Sequence, residues 1–244
     1  MKILKLIILI SLLPLSSKAQ VVFSEFGAGI STWTRIYSTP DETSLLVNAS
    51  SENGKTNTVI FPTLYGKIDL GKSFGFRGRL GYAQNSFTSS FVLGDLVRNE
   101  KLVQSIIPAG LSLEFKLPLS KKDVQSENED EEDSSLGTIG SKSHFIAGIG
   151  LSRYFIQHTF SRDVIGGEGS LGESRFSGND VGLNLMLGFT NDITERLILT
   201  VFTQYNSGSY DHRIYSEEVT GAFDVKNISL QGVEVGFTIG LKLN

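Results

Sequence analysis

The most constraining feature of this sequence is a strict alternation of apolar residues with small or polar ones. Near the C-terminus, one set of alternate positions is entirely apolar: Val233, Val235, Phe237, Ile239, Leu241 and Leu243. The positions between them are Glu234, Gly236, Thr238, Gly240 and Lys242. A period of two is that of a β-strand, in which successive side chains point to opposite faces. This stretch is therefore predicted to be a strand with one apolar face.

The same alternation recurs along the chain, and no convincing helical period accompanies it. Eight stretches can be counted, at 22–33, 59–70, 74–82, 107–119, 145–156, 180–189, 197–205 and 233–243. Each has roughly the 9 to 11 residues that a tilted strand needs to cross a bilayer. Beyond the first twenty residues, no apolar run approaches the length of a membrane-spanning helix. The pattern therefore predicts an all-β chain of eight strands.

The connections between these strands alternate between short and long. Short turns are predicted at 71–73 and 191–195, and long polar loops at 38–58, 86–101, 161–179 and 206–227. Tight turns on one side and long loops on the other are typical of outer-membrane barrels. One connection, residues 120–143, breaks this rhythm because it is a long insertion where a short turn is expected. It carries the acidic residues Asp123, Glu127, Glu129, Asp130, Glu131, Glu132 and Asp133.

The residues opposite the apolar rows decide between a membrane barrel and a soluble one. A soluble β-domain would present mostly charged and amide side chains to water, whereas these rows are rich in glycine and serine. Small residues suit the inside of an eight-stranded barrel, which is only wide enough for side chains to fill. We therefore predict an eight-stranded antiparallel up-and-down transmembrane β-barrel. A soluble β-domain, such as a periplasmic lipid carrier, is the alternative.

Residues 1–19 have the features of a cleaved signal peptide. Lys2 and Lys5 precede an apolar stretch, and Ser17 and Ala19 supply small residues before the expected cleavage site. The expected product is an exported barrel of residues 20–244 in the outer membrane. Its 19 basic and 26 acidic residues give a net charge of −7, and the acidic insertion alone accounts for the excess. No basic patch indicates nucleic-acid binding.

Two sets of residues are predicted to have defined positions in such a barrel. Charged residues on the inner rows should pair with one another, because an unpaired buried charge is costly. They are expected to form a network around Arg77 and Arg79: Glu25, Lys67, Asp69, Arg77, Arg79, Glu114, Lys116, Glu234 and Lys242. Aromatic residues near strand ends are expected to form belts at the membrane interfaces: Trp33, Tyr37, Phe74, Tyr82, Phe115, Tyr154, Tyr205 and Tyr210.

The residues that carry most enzyme chemistry are sparse. Cysteine is absent, and the three histidines have no recognisable metal-ligand spacing. His158, Ser161 and Asp163 are close together in sequence, as a lipid deacylase with an activated serine would require, but such polar groups are common at strand ends. We therefore predict no catalytic residues, no cofactor and no metal site.

Several segments resemble the outer-membrane β-barrel domain common in Bacteroidota, which includes PorT-like proteins and is related in architecture to OmpA- and OmpX-type barrels. The matching segments are 18–20, 60–65, 106–111, 144–154, 181–189, 191–197, 205–208 and 233–243. The resemblance implies a non-enzymatic barrel with a packed interior, acting as a structural or interaction protein. Its expected partners are outer-membrane lipid and, through the loops, envelope or secretion-machinery proteins. A narrow channel or small-ligand transporter is the alternative function.

Overall fold

The computed structural model describes residues 21–36, 45, 56–119, 143–165, 174–215 and 223–243. These residues form strands almost throughout: β1 Val21–Ile36, β2 Thr56–Leu70, β3 Phe74–Gly81, β4 Ala83–Leu93, β5 Leu96–Pro118, β6 Ser143–Ile165, β7 Ser174–Asp192, β8 Leu197–Asn206, β9 Ser209–Tyr215, β10 Phe223–Ser229 and β11 Gly232–Lys242. Among the described residues there is no candidate for a membrane-spanning helix.

Eight strands close into an antiparallel ring. Its order is β1, β2, β3, β5, β6, β7, β8 and β11, and β11 pairs with β1 to complete the circle. β3 and β4 are one long strand interrupted at Tyr82, because Leu80 opposite Ala109 and Ala83 opposite Ile106 belong to the same register on β5. The predicted eight-stranded antiparallel up-and-down barrel is confirmed.

The alternation places the apolar rows on the outside of this barrel. In β11, Val235 and Ile239 are about half exposed, whereas Glu234 and Thr238 on the other row are buried. The exposed leucines of β7 form a similar row, and together these rows make an apolar belt around the barrel. A belt of this kind facing outward, with polar side chains facing inward, is the arrangement of a transmembrane barrel, since lipid replaces water as the solvent.

The two ends of the barrel differ. At one end, here called the turn end, short segments at 71–73 and 193–196 join β2 to β3 and β7 to β8. At the other, here called the hairpin end, the strands continue well past the apolar belt. β4 and β5 form a hairpin through the two-residue turn Gly94–Asp95, in which Gly94 has a φ of +60° that suits such a turn.

Much of the sequence predicted to be long loops is therefore strand. Residues 86–101 lie in the β4–β5 hairpin, 161–179 include the ends of β6 and β7, and 206–227 include β9 and most of β10. The prediction of loops was wrong here because the alternation of apolar and polar residues stops where lipid no longer covers one face. Ser- and Thr-containing stretches can continue as solvated strands without that pattern.

The hairpin of β9 and β10 leaves the ring and packs into its opening. These two strands pair only with each other in the described part of the chain. The chain bends at Ser207–Gly208, where Gly208 has a φ of +147°, and again at Leu230–Gln231. Tyr210, Ile228 and Leu230 are consequently buried in one cluster with residues of the barrel wall.

Candidate functional site

The lumen near the turn end contains a buried network centred on Glu114. Lys67 Nζ contacts Glu114 Oε2, and Arg77 Nε lies 2.5 Å from Glu114 Oε1. All three side chains are almost completely buried. Because β2, β3 and β5 are adjacent and their inner rows alternate with the apolar ones, the register itself brings these three residues together.

Further pairs surround this centre. The Tyr65 hydroxyl donates a hydrogen bond to Glu25, and the Arg77 guanidinium lies 4.3 Å from the centre of the Tyr65 ring. Nearer the opening at the turn end, Lys116 pairs with Asp69 at 3.0 Å and Lys242 pairs with Asp192 at 2.6 Å. The formal charges balance, with four cations (Lys67, Arg77, Lys116 and Lys242) facing four carboxylates (Glu25, Asp69, Glu114 and Asp192).

A second ion pair occupies the middle of the lumen. The Arg79 guanidinium holds Glu234 with both of its terminal nitrogens, one of them at 3.0 Å. Ser31 Oγ donates to the same carboxylate at 2.5 Å, and Arg79 Nη1 donates to Gln204 Oε1 at 3.2 Å. Arg79 also lies 5.0 Å from the Phe61 ring and 5.3 Å from the Phe202 ring. The bidentate pair therefore has both polar and aromatic neighbours that fix its position.

An apolar plug closes the lumen beyond this pair. Trp33 packs edge-on against Phe61 at 5.9 Å and stacks with Tyr154 at 6.2 Å, measured between ring centres. Ile228 on β10 and Leu230, which directly follows β10, are fully buried in the same cluster. Between the plug and the Arg79–Glu234 pair lies a cavity of about 20 Å³. That volume holds about one water molecule.

A buried polar group lies on the far side of the plug. Arg35 Nη1 donates to Gln104 Oε1 at 2.8 Å, Gln104 Nε2 donates to the Tyr210 hydroxyl at 3.0 Å, and Tyr210 is 2.9 Å from His158 Nε2. This group was not predicted from the sequence. The period of two could have indicated it, because Gln104 lies two residues from Leu102 and two from Ile106. All three are buried and belong to the inner row of β5.

The nine charged residues predicted for the interior all face the lumen. The structure divides them between the Glu114 network, the Lys116–Asp69 and Lys242–Asp192 pairs, and the Arg79–Glu234 pair. Glu25, expected beside the arginines, accepts a hydrogen bond from Tyr65, whose ring packs against Arg77. Asp192, the partner of Lys242, was not in the predicted set, because it was assigned to a turn.

The predicted aromatic belts need correction at three positions. Trp33, Tyr154 and Tyr210 are buried in the lumen and do not face lipid. Trp33 and Tyr154 belong to the inward-facing rows of β1 and β6, so the period of two overrides the preference of aromatic residues for interfaces. Tyr210 is buried because the β9–β10 hairpin packs into the opening of the barrel. Phe74, Tyr82 and Tyr205 are exposed on the outer face, and Phe115 is half-buried beside Phe74 with the ring centres 5.0 Å apart.

Other expected features fall outside the described residues or separate in space. Tyr37, the acidic insertion with Asp123–Asp133 and the signal peptide lie outside the described residues. His158 points into the lumen, whereas Ser161 and Asp163 belong to the opposite face of β6, so these three residues form no catalytic group. Within the described ranges, no group of three or more histidine, aspartate or glutamate side chains is arranged to hold a metal ion.

Comparison with known proteins gives structural likenesses alone. No protein-family model matches the chain, and no curated protein sequence matches it. The crystal structure of OprG from Pseudomonas aeruginosa has a TM-score of 0.49 at 13% identity, covering 93% of this chain and 98% of that one. Neisserial surface protein A gives 0.46 at 14% identity, covering 90% and 97%. Ail of Yersinia pestis, crystallised with the heparin analogue sucrose octasulfate, gives 0.39 at 11% identity, covering 91% and 100%.

Proposed function

We propose that this chain is a non-enzymatic outer-membrane protein whose barrel is a closed scaffold, acting as a structural or interaction protein of the cell envelope. The observation that carries this proposal is the blockage of the lumen beyond a recess of about 230 Å³ that lies at the turn end among Glu25, Lys116 and Lys242. A charge-balanced network, a bidentate ion pair and an apolar plug follow one another along the axis and leave a cavity of about 20 Å³ between them. A hydrated solute would have to displace all three.

The apolar belt and the asymmetry of the two ends support the outer-membrane placement. Outer-membrane barrels have short turns on the periplasmic side and longer extensions outside, so we assign the turn end to the periplasm and the hairpin end to the exterior. The extended strands β4 to β7 and the β9–β10 hairpin would then be the surfaces available to partner proteins. Envelope or secretion-machinery proteins remain the proposed partner class.

The test is solute and ion flux through the reconstituted protein. Wild-type protein in liposomes should give no more sugar-driven swelling than protein-free liposomes, with a general porin as the positive control, and no stable conductance in planar bilayers. Arg79→Ala alone should also stay silent, because the plug around Trp33 remains in place. Conductance should appear only when all three barriers are opened, by combining Arg77→Ala and Arg79→Ala with replacement of residues 207–231 by a short turn.

The narrow-channel alternative predicts the opposite result for the unmodified protein. Sugar-dependent swelling or reproducible single-channel steps from the wild type would contradict a closed scaffold. Conductance from Arg79→Ala alone would show that the plug does not seal the lumen, and would place the barrier at the ion pair.

A further inference from the structure

The apolar belt contains one charged residue in the described part of the chain. Arg153 lies on the outward-facing row of β6, between Leu151 and Phe155, and is exposed. Its register neighbours on the adjacent strands are Ala109 on β5 and Val181 on β7. A charged side chain facing lipid is unfavourable unless its head reaches polar partners at the interface.

Arg153 stands near the outer edge of the belt. It follows Phe145, at the turn end of β6, by eight residues. With a rise of about 3.3 Å per residue and a strand tilt of about 40°, this separation corresponds to roughly 20 Å along the barrel axis. The apolar band of such barrels is about 25 Å tall, so the long arginine side chain can reach the outer headgroup layer.

A recess in the outer wall adjoins Arg153. It has a volume of about 620 Å³ and is open to the surroundings. Ile107, Phe155 and Tyr82 contribute apolar surface to it, and a polar rim is formed by Ser105, Gln157, Ser177 and Asn179. The recess therefore bridges the apolar belt and the solvated part of the strands.

Two contacts hold the guanidinium at this rim. Arg153 Nη2 donates to Asn179 Oδ1 at 3.1 Å, and the guanidinium carbon lies 5.3 Å from the centre of the Phe155 ring. A guanidinium has five N–H donors, and Asn179 accepts from one nitrogen in the described contacts. The fork of donors is thus placed beside a recess with mixed polarity at the level of lipid headgroups.

We propose that Arg153, Asn179 and the adjoining recess bind a phosphate-bearing lipid of the outer leaflet. The inference rests on the proposed outer-membrane location and orientation. Phosphate matches the guanidinium fork geometrically and neutralises its charge. A lipid is favoured over a free anion because the recess is continuous with the apolar belt through Ile107 and Phe155, so a bound headgroup leaves its acyl chains on that belt.

The experiment compares lipid A with enzymatically dephosphorylated lipid A, titrated into the full-length protein in detergent and followed by native mass spectrometry. The wild type should prefer the phosphorylated lipid by about 10-fold, the scale of one charge-assisted contact, and Arg153→Gln should lose that preference. Arg153→Lys should keep part of it. The matched control is Arg196→Gln, in an exposed turn at the opposite end of the barrel, which should behave as wild type.

Three outcomes would overturn the assignment: equal binding of the two lipids by the wild type, a preference that survives in Arg153→Gln, or displacement of the lipid by inorganic phosphate alone. The last result would indicate a site for a soluble anion. Heat-dependent gel mobility of each variant and the flux assay report separately on barrel formation and closure. A failure confined to lipid preference therefore leaves the proposed function standing, whereas a barrel that does not enter bilayers contradicts the proposed function itself.

Discussion

At the scale of single residues, Glu114 is the position on which the interior most depends. It is fully buried and neutralises both Lys67 and Arg77. Removing one partner of a buried pair typically costs about 3–5 kcal/mol, because the remaining charge stays desolvated. Glu114→Gln should therefore lower the free energy of unfolding by about that amount, measured by urea titration in lipid vesicles.

The control for this prediction is Glu195→Gln, in an exposed turn at the same end of the barrel. It should leave the urea midpoint unchanged within error. If Glu114→Gln unfolded at the same urea concentration as wild type, the network would be held by the barrel wall and would contribute little to stability.

The direction in which individual side chains face could largely be predicted from the sequence. The period of two predicts an inward direction for all nine charged positions. It predicts the same for Trp33, which shares its row with Glu25 and Ser31. Trp33 was nevertheless predicted to lie in an aromatic belt, because an aromatic residue at a strand end suits either a membrane interface or an apolar plug. The choice depends on the β9–β10 hairpin, a contact far away in sequence.

At the scale of elements, the bend that directs β9 into the lumen depends on close backbone approach. A Cβ at Gly182 would collide with the Ser207 carbonyl oxygen, whereas a Cβ at Gly78 would meet no atom closer than 3.9 Å. Gly182→Ala should therefore destabilise the barrel by about 1–3 kcal/mol, the usual range for overpacking. Gly78→Ala should be close to neutral in the same unfolding assay.

The long strand formed by β3 and β4 makes a second prediction at this scale. The Tyr82 N–H donates to the Pro62 carbonyl at 3.2 Å, on the β2 side. By the period of two, Thr88 also directs its N–H away from β5, whereas Phe87 directs its N–H toward β5. Thr88→Pro should consequently be tolerated, and Phe87→Pro should break the hairpin ladder.

Hydrogen exchange of the amides in β5 can measure this difference. Phe87→Pro should accelerate exchange at Leu102 and its neighbours, and Thr88→Pro should not. Phe87→Ala separates loss of the ring from loss of the N–H. Equal acceleration by both proline variants would mean that the alternation of backbone directions assigned to β4 is wrong.

Strand lengths were the part of the elements that the sequence could not predict. Within the belt, lipid on one side and a packed lumen on the other impose alternation, so those segments are recognisable. Beyond the belt, both faces of β4 meet polar surroundings, and its sequence from Ala83 to Leu93 carries no charged residue and little alternation. Pairing with β5 decides its conformation, and pairing partners are not a local property.

At the scale of the whole molecule, the lumen is closed by two unlike materials. Charged and hydrogen-bonded groups line the half near the turn end, and apolar side chains fill the part beneath the β9–β10 hairpin. The first half follows from parity and the need to pair buried charges. The second requires a hairpin that leaves the ring, which no residue pattern within a single strand encodes.

The closure of the ring by β1 and β11 has a consequence for the order of events during folding. Glu25 stands opposite Lys242, so the strand that emerges first has to wait for the strand that emerges last. Until then, β1 and β8 are both open edges with unpaired backbone groups, which lipid does not tolerate. Entry into the bilayer is therefore expected to be a late and concerted event, in which a nearly complete set of strands inserts together.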